Sequence, residues 1–349
     1  MKNSIRLLVG TALAGAVMHG AAVAGPVEAL EAMREYNLIV FDSFKLNQDI
    51  QGSVYVDGNL SNGNMVGSNY TRYSGGSGLT VTGNVTGQNI KVKNSDLRVG
   101  GNVTGSVEIQ DSGSAYIGGK SNGSVRLTGN TQGRTVQTNA AGAVDVLDRA
   151  DFFGLSTNLA GRAAESSYGR ADIRDRNNFR INIADQNNDG VAVVNLASDF
   201  FGNVASYGFY GDALTSLDTI IVNVAGTNIN IDANWQTGGI GSNLFASQHI
   251  IWNFFEAETV RLGRQIFGSV LAPNAVVSNF TPIDGSVVAG SFTQNGQVHL
   301  PGYAGNKLTF APPPPPLTEI PEPAMIGLLG LGVLGIAGLR RRPAARPAA

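Results

Sequence analysis

Among the residue patterns of this chain, Asp185-Gln186-Asn187-Asn188-Asp189-Gly190 comes nearest to a site that could do chemistry. Asp185, Asn187 and Asp189 stand at positions 1, 3 and 5 of a calcium loop, with glycine at position 6 for its sharp turn. Position 12, where a bidentate acid belongs, is Leu196, so the loop is incomplete. The competing reading is a polar turn joining two apolar runs, in which Asn-Asp-Gly supplies positive φ. Calcium is the one cofactor the sequence raises, and those three residues are its candidate ligands.

Other chemistry finds less support. There is no cysteine, which removes thiolate ligands, a cysteine nucleophile and disulfides. Beyond residue 24 the histidines are His249 and His299, far apart and without H-x-x-H spacing. No G-x-S-x-G elbow, P-loop or dinucleotide fingerprint occurs in a strand-turn-helix setting. With no acid–base cluster to name, the expectation is a protein that is not an enzyme. Tyr70, Tyr73 and Tyr116 could stack on a saccharide, although tyrosine on a strand is more often plain packing.

The elements that must carry these residues show themselves as a repeat. Residues 79–132 divide into three stretches of 18, LTVTGNVTGQNIKVKNSD, LRVGGNVTGSVEIQDSGS and AYIGGKSNGSVRLTGNTQ. Gly83, Gly101 and Gly119 fall in register, as do Gly87, Gly105 and Gly123. Each unit holds two short alternating runs separated by glycine turns, too little to bury an apolar face alone. Stacking the units buries it, so the expected fold is mainly β: a β-solenoid, or β-helix, with Leu79, Leu97 and Ala115, and Val81, Val99 and Ile117, as inward columns. Lys91, Glu108 and Arg126 would then stack outside with alternating sign, the first of them one residue out of register. Residues 140–170 break the pattern. Val144, Leu147, Phe152, Leu155 and Leu159 recur at roughly helical spacing, which predicts one α-helix packed alongside the solenoid.

Both ends read as addresses. Lys2 and Arg6, the apolar run 7–17 and the site Ala22-Val23-Ala24 predict a signal peptide, residues 1–24, cut after Ala24. At the other end, residues 324–339 are uncharged and would span roughly 24 Å as a helix, against about 30 Å of hydrocarbon. Five glycines weaken that helix further. Six of the 24 bases lie in these two ends, so the body is acidic and a poor candidate for nucleic acid.

Pro321-Glu322-Pro323, then the apolar segment 324–339, then the basic tail 340–349 opening on Arg340, Arg341 and Arg342, resembles the PEP-CTERM sorting signal of Gram-negative bacteria. The resemblance implies transient lodging in the inner membrane, recognition by an exosortase, and export together with exopolysaccharide. The body also carries a likeness. NLIVFDSFKLNQDIQGSVYVDGNL, IIVNVAG, IIWNFFEAETVRL, GSVLAPNAVV and IDGSVVAGSF arrive in the order of the choice-of-anchor A domain, across residues 37–305. That family implies an extracellular domain attached through differing anchors, and offers no catalytic residues to carry over. Where its pattern has Glu-x-His, this chain has Gln297-Val298-His299. The coil-helix-coil order also resembles the bacterial ice-binding β-helix family.

The expected organisation is a signal peptide (1–24), a choice-of-anchor A solenoid (25–305), a proline-rich linker (306–320) and the sorting signal (321–349). The expected function is that of an exported structural or adhesive protein of the cell surface or matrix, with extracellular polysaccharide as partner. An ice-binding protein is the alternative. It is weakened because the columns from Thr80 and Thr82 continue as Arg98 and Tyr116, and as Gly100 and Gly118. A polysaccharide-modifying enzyme comes third.

Overall fold

A computed structural model describes residues 25–68, 77–168, 175–211, 214–240 and 242–310. Ala22 and Ala24, Tyr70 and Tyr73, the apolar segment 324–339 and all six expected sorting residues lie outside them. Among the described residues no helix is long and apolar enough to cross a membrane.

The short Val- and Ile-rich runs become strands, and every pairing among the described strands is parallel. Parallel strands need long returns and burial on both faces, which explains why a glycine-rich chain builds them in layers without closing a barrel. The largest sheet has a central path of eleven strands. Tyr36–Val40 lies in its middle, and successive strands run outward through Ser53–Val56, Ser77–Val81, Asp96–Val99 and Ala115–Ile117 to Val136–Thr138. The chain then crosses back through a helix and re-enters the sheet at Val191–Ala197, its opposite edge. From there Thr219–Ala225, Ile250–Asn253 and Ser269–Asn279 return inward until Val287–Gln294 pairs with Tyr36–Val40. The first strand and the last long one are thus neighbours, with Leu38 opposite Val287.

The 18-residue repeat sets the register in one half. Leu79, Leu97 and Ala115 stand opposite one another, as do Val81, Val99 and Ile117, and all six are fully buried. Each buried aliphatic side chain contributes about 1.5–3 kcal/mol. A second ladder takes Ile90–Lys93, Ser106–Gln110 and Ser124–Leu127. There Lys91 pairs with Glu108 and Glu108 with Arg126, so the out-of-register unit is absorbed at the turn before Ile90. Two runs per repeat were expected, but a third line of pairing links Leu60, Val85, Val103 and Ser121. It left no alternation to read because it involves one residue per repeat. At the corner after it, Gly87, Gly105 and Gly123 sit so close that a Cβ would come within 1.8, 1.8 and 1.9 Å of the carbonyl on the neighbouring unit. No side chain fits there.

The helix predicted in 140–170 is shorter, Arg149–Gly161 (α2), because Asp148 caps it by accepting from the Ala150 N–H at 2.8 Å. Val144 and Leu147 precede it. Phe152, Leu155 and Leu159 are buried against the outer face of the large sheet, in one apolar cluster with Val193, Ile221, Ile251, Leu271 and Val288. A second long helix, Pro26–Glu35 (α1), was not anticipated; proline in its first turn and Glu28 set its start, and it packs on α2. The packed body also runs past Gly305: Asp218 accepts the N–H groups of Asn306 and Lys307, and Leu308 is buried.

A buried amide ladder fastens α2 to the sheet. Asn195, Asn223 and Asn253 occupy equivalent positions on three adjacent strands. Asn253 Nδ2 donates to Ser156 O and Asn223 Oδ1, both at 2.8 Å, and accepts from Ser156 Oγ at 2.6 Å. Asn223 Nδ2 donates to Leu159 O at 3.1 Å, and Asn195 Nδ2 to Ala163 O at 2.8 Å. The C-terminal half of α2 and the turn after it are therefore held by side chains whose other partners lie one strand away.

Candidate functional site

Asp185, Asn187 and Asp189 are brought together, in a turn whose oxygens are already engaged. Asp185 accepts the N–H groups of Asp189 at 3.2 Å and Gly190 at 2.8 Å. Burial alone would raise its carboxyl, but the backbone N–H groups of residues 187–190 outweigh it and hold the group below the ordinary aspartate range. Asp189 takes Arg162 at 2.6 Å and the Val191 N–H at 2.9 Å, and Asn187 donates to Glu165 at 2.9 Å. Asn188 and Gly190 adopt positive φ. Among the described residues no group of three or more acidic or histidine side chains is arranged to hold a metal.

The histidines stay apart. His249 lies on the Phe245 ring, 4.4 Å between centroids, with Nδ1 2.6 Å from Asp218 O. His299 bridges two neighbours, Nδ1 at 2.7 Å from Asp284 and Nε2 at 2.9 Å from Gln297. The glutamine that departs from the expected Glu-x-His pattern is thus itself a partner of the histidine. Tyr116 is half-buried beneath the Arg98 guanidinium, 4.7 Å from its centroid, and packs as a strand tyrosine.

A broad polar wall is the largest feature that sequence reasoning missed. Asn228, Thr259, Val276 and Ser291 form one column across four strands, and Asn230, Arg261, Ser278 and Thr293 form the next. Thr259 donates to Asn228 at 2.8 Å, and Arg261 reaches Asn230 at 2.8 Å and Asp232 at 2.7 Å. Arg261 also holds the Asp232 carboxyl below its ordinary value and covers the half-exposed Phe280 ring. Hydrogen bonds between Asn47 and Gln294 join this wall to Phe44–Leu46 and Leu60–Asn62, and thence to exposed Thr86 and Thr104. Along the adjoining edge Asn59, Asn84 and Asn102 each place a side-chain oxygen on the next unit's backbone N–H, at 2.8, 2.8 and 2.9 Å. The signal for that edge was present in the repeated Gly-Asn pairs Gly83-Asn84 and Gly101-Asn102.

The Thr80 and Thr82 columns used to weigh against ice binding are not on this wall. Thr80 is 2% exposed, and Thr82 donates to Asp57 at 2.9 Å. Thr259 and Thr293 face solvent on the wall, and the exposed Thr86 and Thr104 stand in a column that continues as Asn122. An open groove of about 480 Å³ lies at its corner, lined by Asn47, Ser61, Asn62, Thr86 and Gln88 among others. Such a surface offers hydroxyl and amide groups at fixed strand spacing.

Residues 29–300 match the family model described as "Putative Ice-binding-like adhesive domain". Residues 319–342 match the PEP-CTERM protein-sorting motif, taking in Pro321, Glu322, Pro323, Arg340, Arg341 and Arg342. No curated protein and no solved structure gives a significant match. The sorting motif directs export across the inner membrane, to the cell surface or the medium, and implies processing by an exosortase. The body's match is to an adhesive, ice-binding-like family, and not specifically to choice-of-anchor A.

Proposed function

We propose a function from one premise: the chain belongs to the ice-binding-like adhesive domain family. The protein is an exported, non-catalytic adhesive or structural element of the cell surface or extracellular matrix, associated with exopolysaccharide. Its body is wound as a β-solenoid braced by α2, and its adhesive surface is the polar wall of Asn228, Thr259, Asn230, Arg261 and Thr293. The single observation behind this reading is that wall's regular, solvent-facing columns on a domain that carries a sorting tail. The choice-of-anchor A likeness adds a body whose anchor is interchangeable.

The test follows the protein through fractionation of the producing cell. Wild-type protein is expected to lose its tail and appear in the matrix or medium. In a strain without exosortase, or with Pro321→Ala and Glu322→Ala together, a longer form is expected to accumulate at the membrane. Equal maturation in all three would overturn the sorting half of the reading. For the adhesive half, purified body carrying Asn230→Asp and Thr259→Glu is expected to bind cell-derived matrix several-fold less well than wild type. Unchanged binding would remove the wall from consideration.

Ice binding remains a second reading, favoured by the solvent-facing Thr86 and Thr104. Lys45 and Arg261 interrupt the face with charge, which places it behind adhesion. Thermal hysteresis by the purified body would reverse that order.

A further inference from the structure

A pocket of about 190 Å³ lies where α2 begins, at the end of the polar wall, with which it shares Val276 and Ser291. Its lining includes Phe41, Asp42, Arg149, Asn274, Val276 and Ser291. Arg149 is held with little freedom. Its Nε donates to Pro273 O at 2.9 Å, and its guanidinium lies 5.9 Å from the Phe41 centroid and 5.3 Å from that of Phe153. Gly290 makes room for it, since a Cβ there would come within 2.8 Å of Nη2. Neither Nη group has a partner among the described residues, although five carboxylates (Asp42, Asp145, Asp148, Asp151 and Glu28) lie on the same or adjoining segments.

This is an unusual economy for a protein with more acids than bases. A guanidinium held through its Nε, lying over two rings and lining the pocket, keeps both Nη groups for a ligand, the fork that matches a carboxylate in bidentate fashion. Around the fork are the other parts of a saccharide site. The Asn274 amide and Ser291 hydroxyl make no hydrogen bond among the described residues and can pair with ring hydroxyls. Asp42, whose Oδ1 accepts the Ser43 N–H at 2.6 Å, retains an oxygen to accept one. Exposed Val276 and the Phe41 ring give an apolar side for a ring face. The volume is below the roughly 300–1,000 Å³ of drug-sized ligand sites and suits one sugar ring.

We propose that this pocket binds a single uronic-acid unit of an acidic polysaccharide, with Arg149 taking the sugar carboxylate. The proposal deepens the adhesive reading and rests on it for the presence of polysaccharide. It also supplies what the wall, whose Arg261 is paired with Asp232, lacks: a means of choosing acidic chains over neutral ones while the body's overall charge repels them.

The experiment measures binding of purified protein to oligomannuronate and to neutral cello-oligosaccharides of equal length, by calorimetry at low and moderate salt. Wild type is expected to bind the uronate oligomer at least tenfold more tightly than the neutral one, and to weaken as salt rises. Arg149→Gln should abolish that preference, and Arg149→Lys should restore part of it because charge returns without the fork. Asn274→Ala with Ser291→Ala, on exposed and half-exposed positions, should weaken both oligomers similarly and guards against misfolding of the arginine variants, which thermal melting also checks. Equal affinity for the two oligomers, no uronate binding by wild type, or an Arg149→Gln variant that is folded and binds like wild type would each overturn the proposal. Any of these outcomes alongside normal tail processing and matrix binding would leave the adhesive reading standing alone.

Discussion

Replacing Asn253 by alanine tests whether the buried amide ladder, rather than apolar contact alone, fixes α2 on the sheet. The side chain is fully buried and makes three hydrogen bonds, two to Ser156 and one to Asn223. Truncation leaves Ser156 O and Asn223 Oδ1 without their donor and Ser156 Oγ without its acceptor. Hydrogen bonds of this kind are worth about 1 kcal/mol each, and an orphaned buried group costs about 1–3 kcal/mol. Allowing Ser156 Oγ to rotate to another acceptor, the expected loss is about 3 kcal/mol. For a chain of this size that corresponds to a fall in melting temperature of roughly 5–10 °C. Thermal and urea unfolding by circular dichroism would measure it, and limited proteolysis between residues 130 and 160 would show whether α2 opens first. Asn102→Ala, on the exposed edge ladder, is the control and should cost less than about 1 kcal/mol. The reasoning fails if Asn253→Ala stays within 0.5 kcal/mol of wild type, on the scale of a neutral surface change, or if the Asn102 control costs as much.

Three further outcomes follow from the same structure. Burial, with Asp148 and Glu28 nearby, pushes the Asp151 carboxyl up to about 6. The folded state therefore holds a proton that the unfolded state releases near pH 4, and stability falls as pH rises from about 4 through 6. Asp151→Asn should stabilise the protein by about 1 kcal/mol at pH 7.5, after discounting for solvent screening, and give no gain at pH 3.5; equal effects at both would be inconsistent with the shift. Gly105→Ala should cost more than about 2 kcal/mol, since its Cβ would come within 1.8 Å of Gly87 O, and a melting curve like wild type would contradict the tight corner. Asp185→Ala should destabilise by about 1–2 kcal/mol by orphaning the Asp189 and Gly190 N–H groups, while calorimetry of wild type with millimolar calcium should give no heat. Clear heat would reinstate the calcium loop.

The half of the fold carried by residues 79–127 was legible because its repeat has constant length. Equal spacing puts Leu79, Leu97 and Ala115 in one column and pairs Glu108 with Arg126, while Lys91 joins that ladder one residue out of step. The other half resisted because its strands recur at unequal intervals: Ile220 pairs with Ile250, 30 residues on, whereas Val270 pairs with Val287, only 17 on. The re-entry of the chain at the far edge was hidden for a related reason. Nothing local in Val191–Ala197 records which strand it will adjoin. The amide ladder left a visible trace in VVNLA, IIVNVA and IIWNFF, an asparagine at the same place in three apolar runs, but a polar residue within such a run reads as an outward position unless a helix is known to cover it. The Arg149 pocket left none, since it joins residues 41–42, 149, 274–276 and 290–291.

The pairing of Tyr36–Val40 with Val287–Gln294 bears on how the protein can be delivered. The described strands from Ser53–Val56 to Val136–Thr138 find their next partners within a few dozen residues and can zip together as they emerge. The strand that precedes them keeps one edge open until a segment about 250 residues later arrives, with Leu38 meeting Val287. Closing a loop of that length is slow and unrewarded until its final contacts form. A polypeptide threaded N-terminus first through a membrane would thus stay incomplete throughout its passage, and would lock only after nearly the whole body was outside, leaving the trailing tail as the last part to be dealt with.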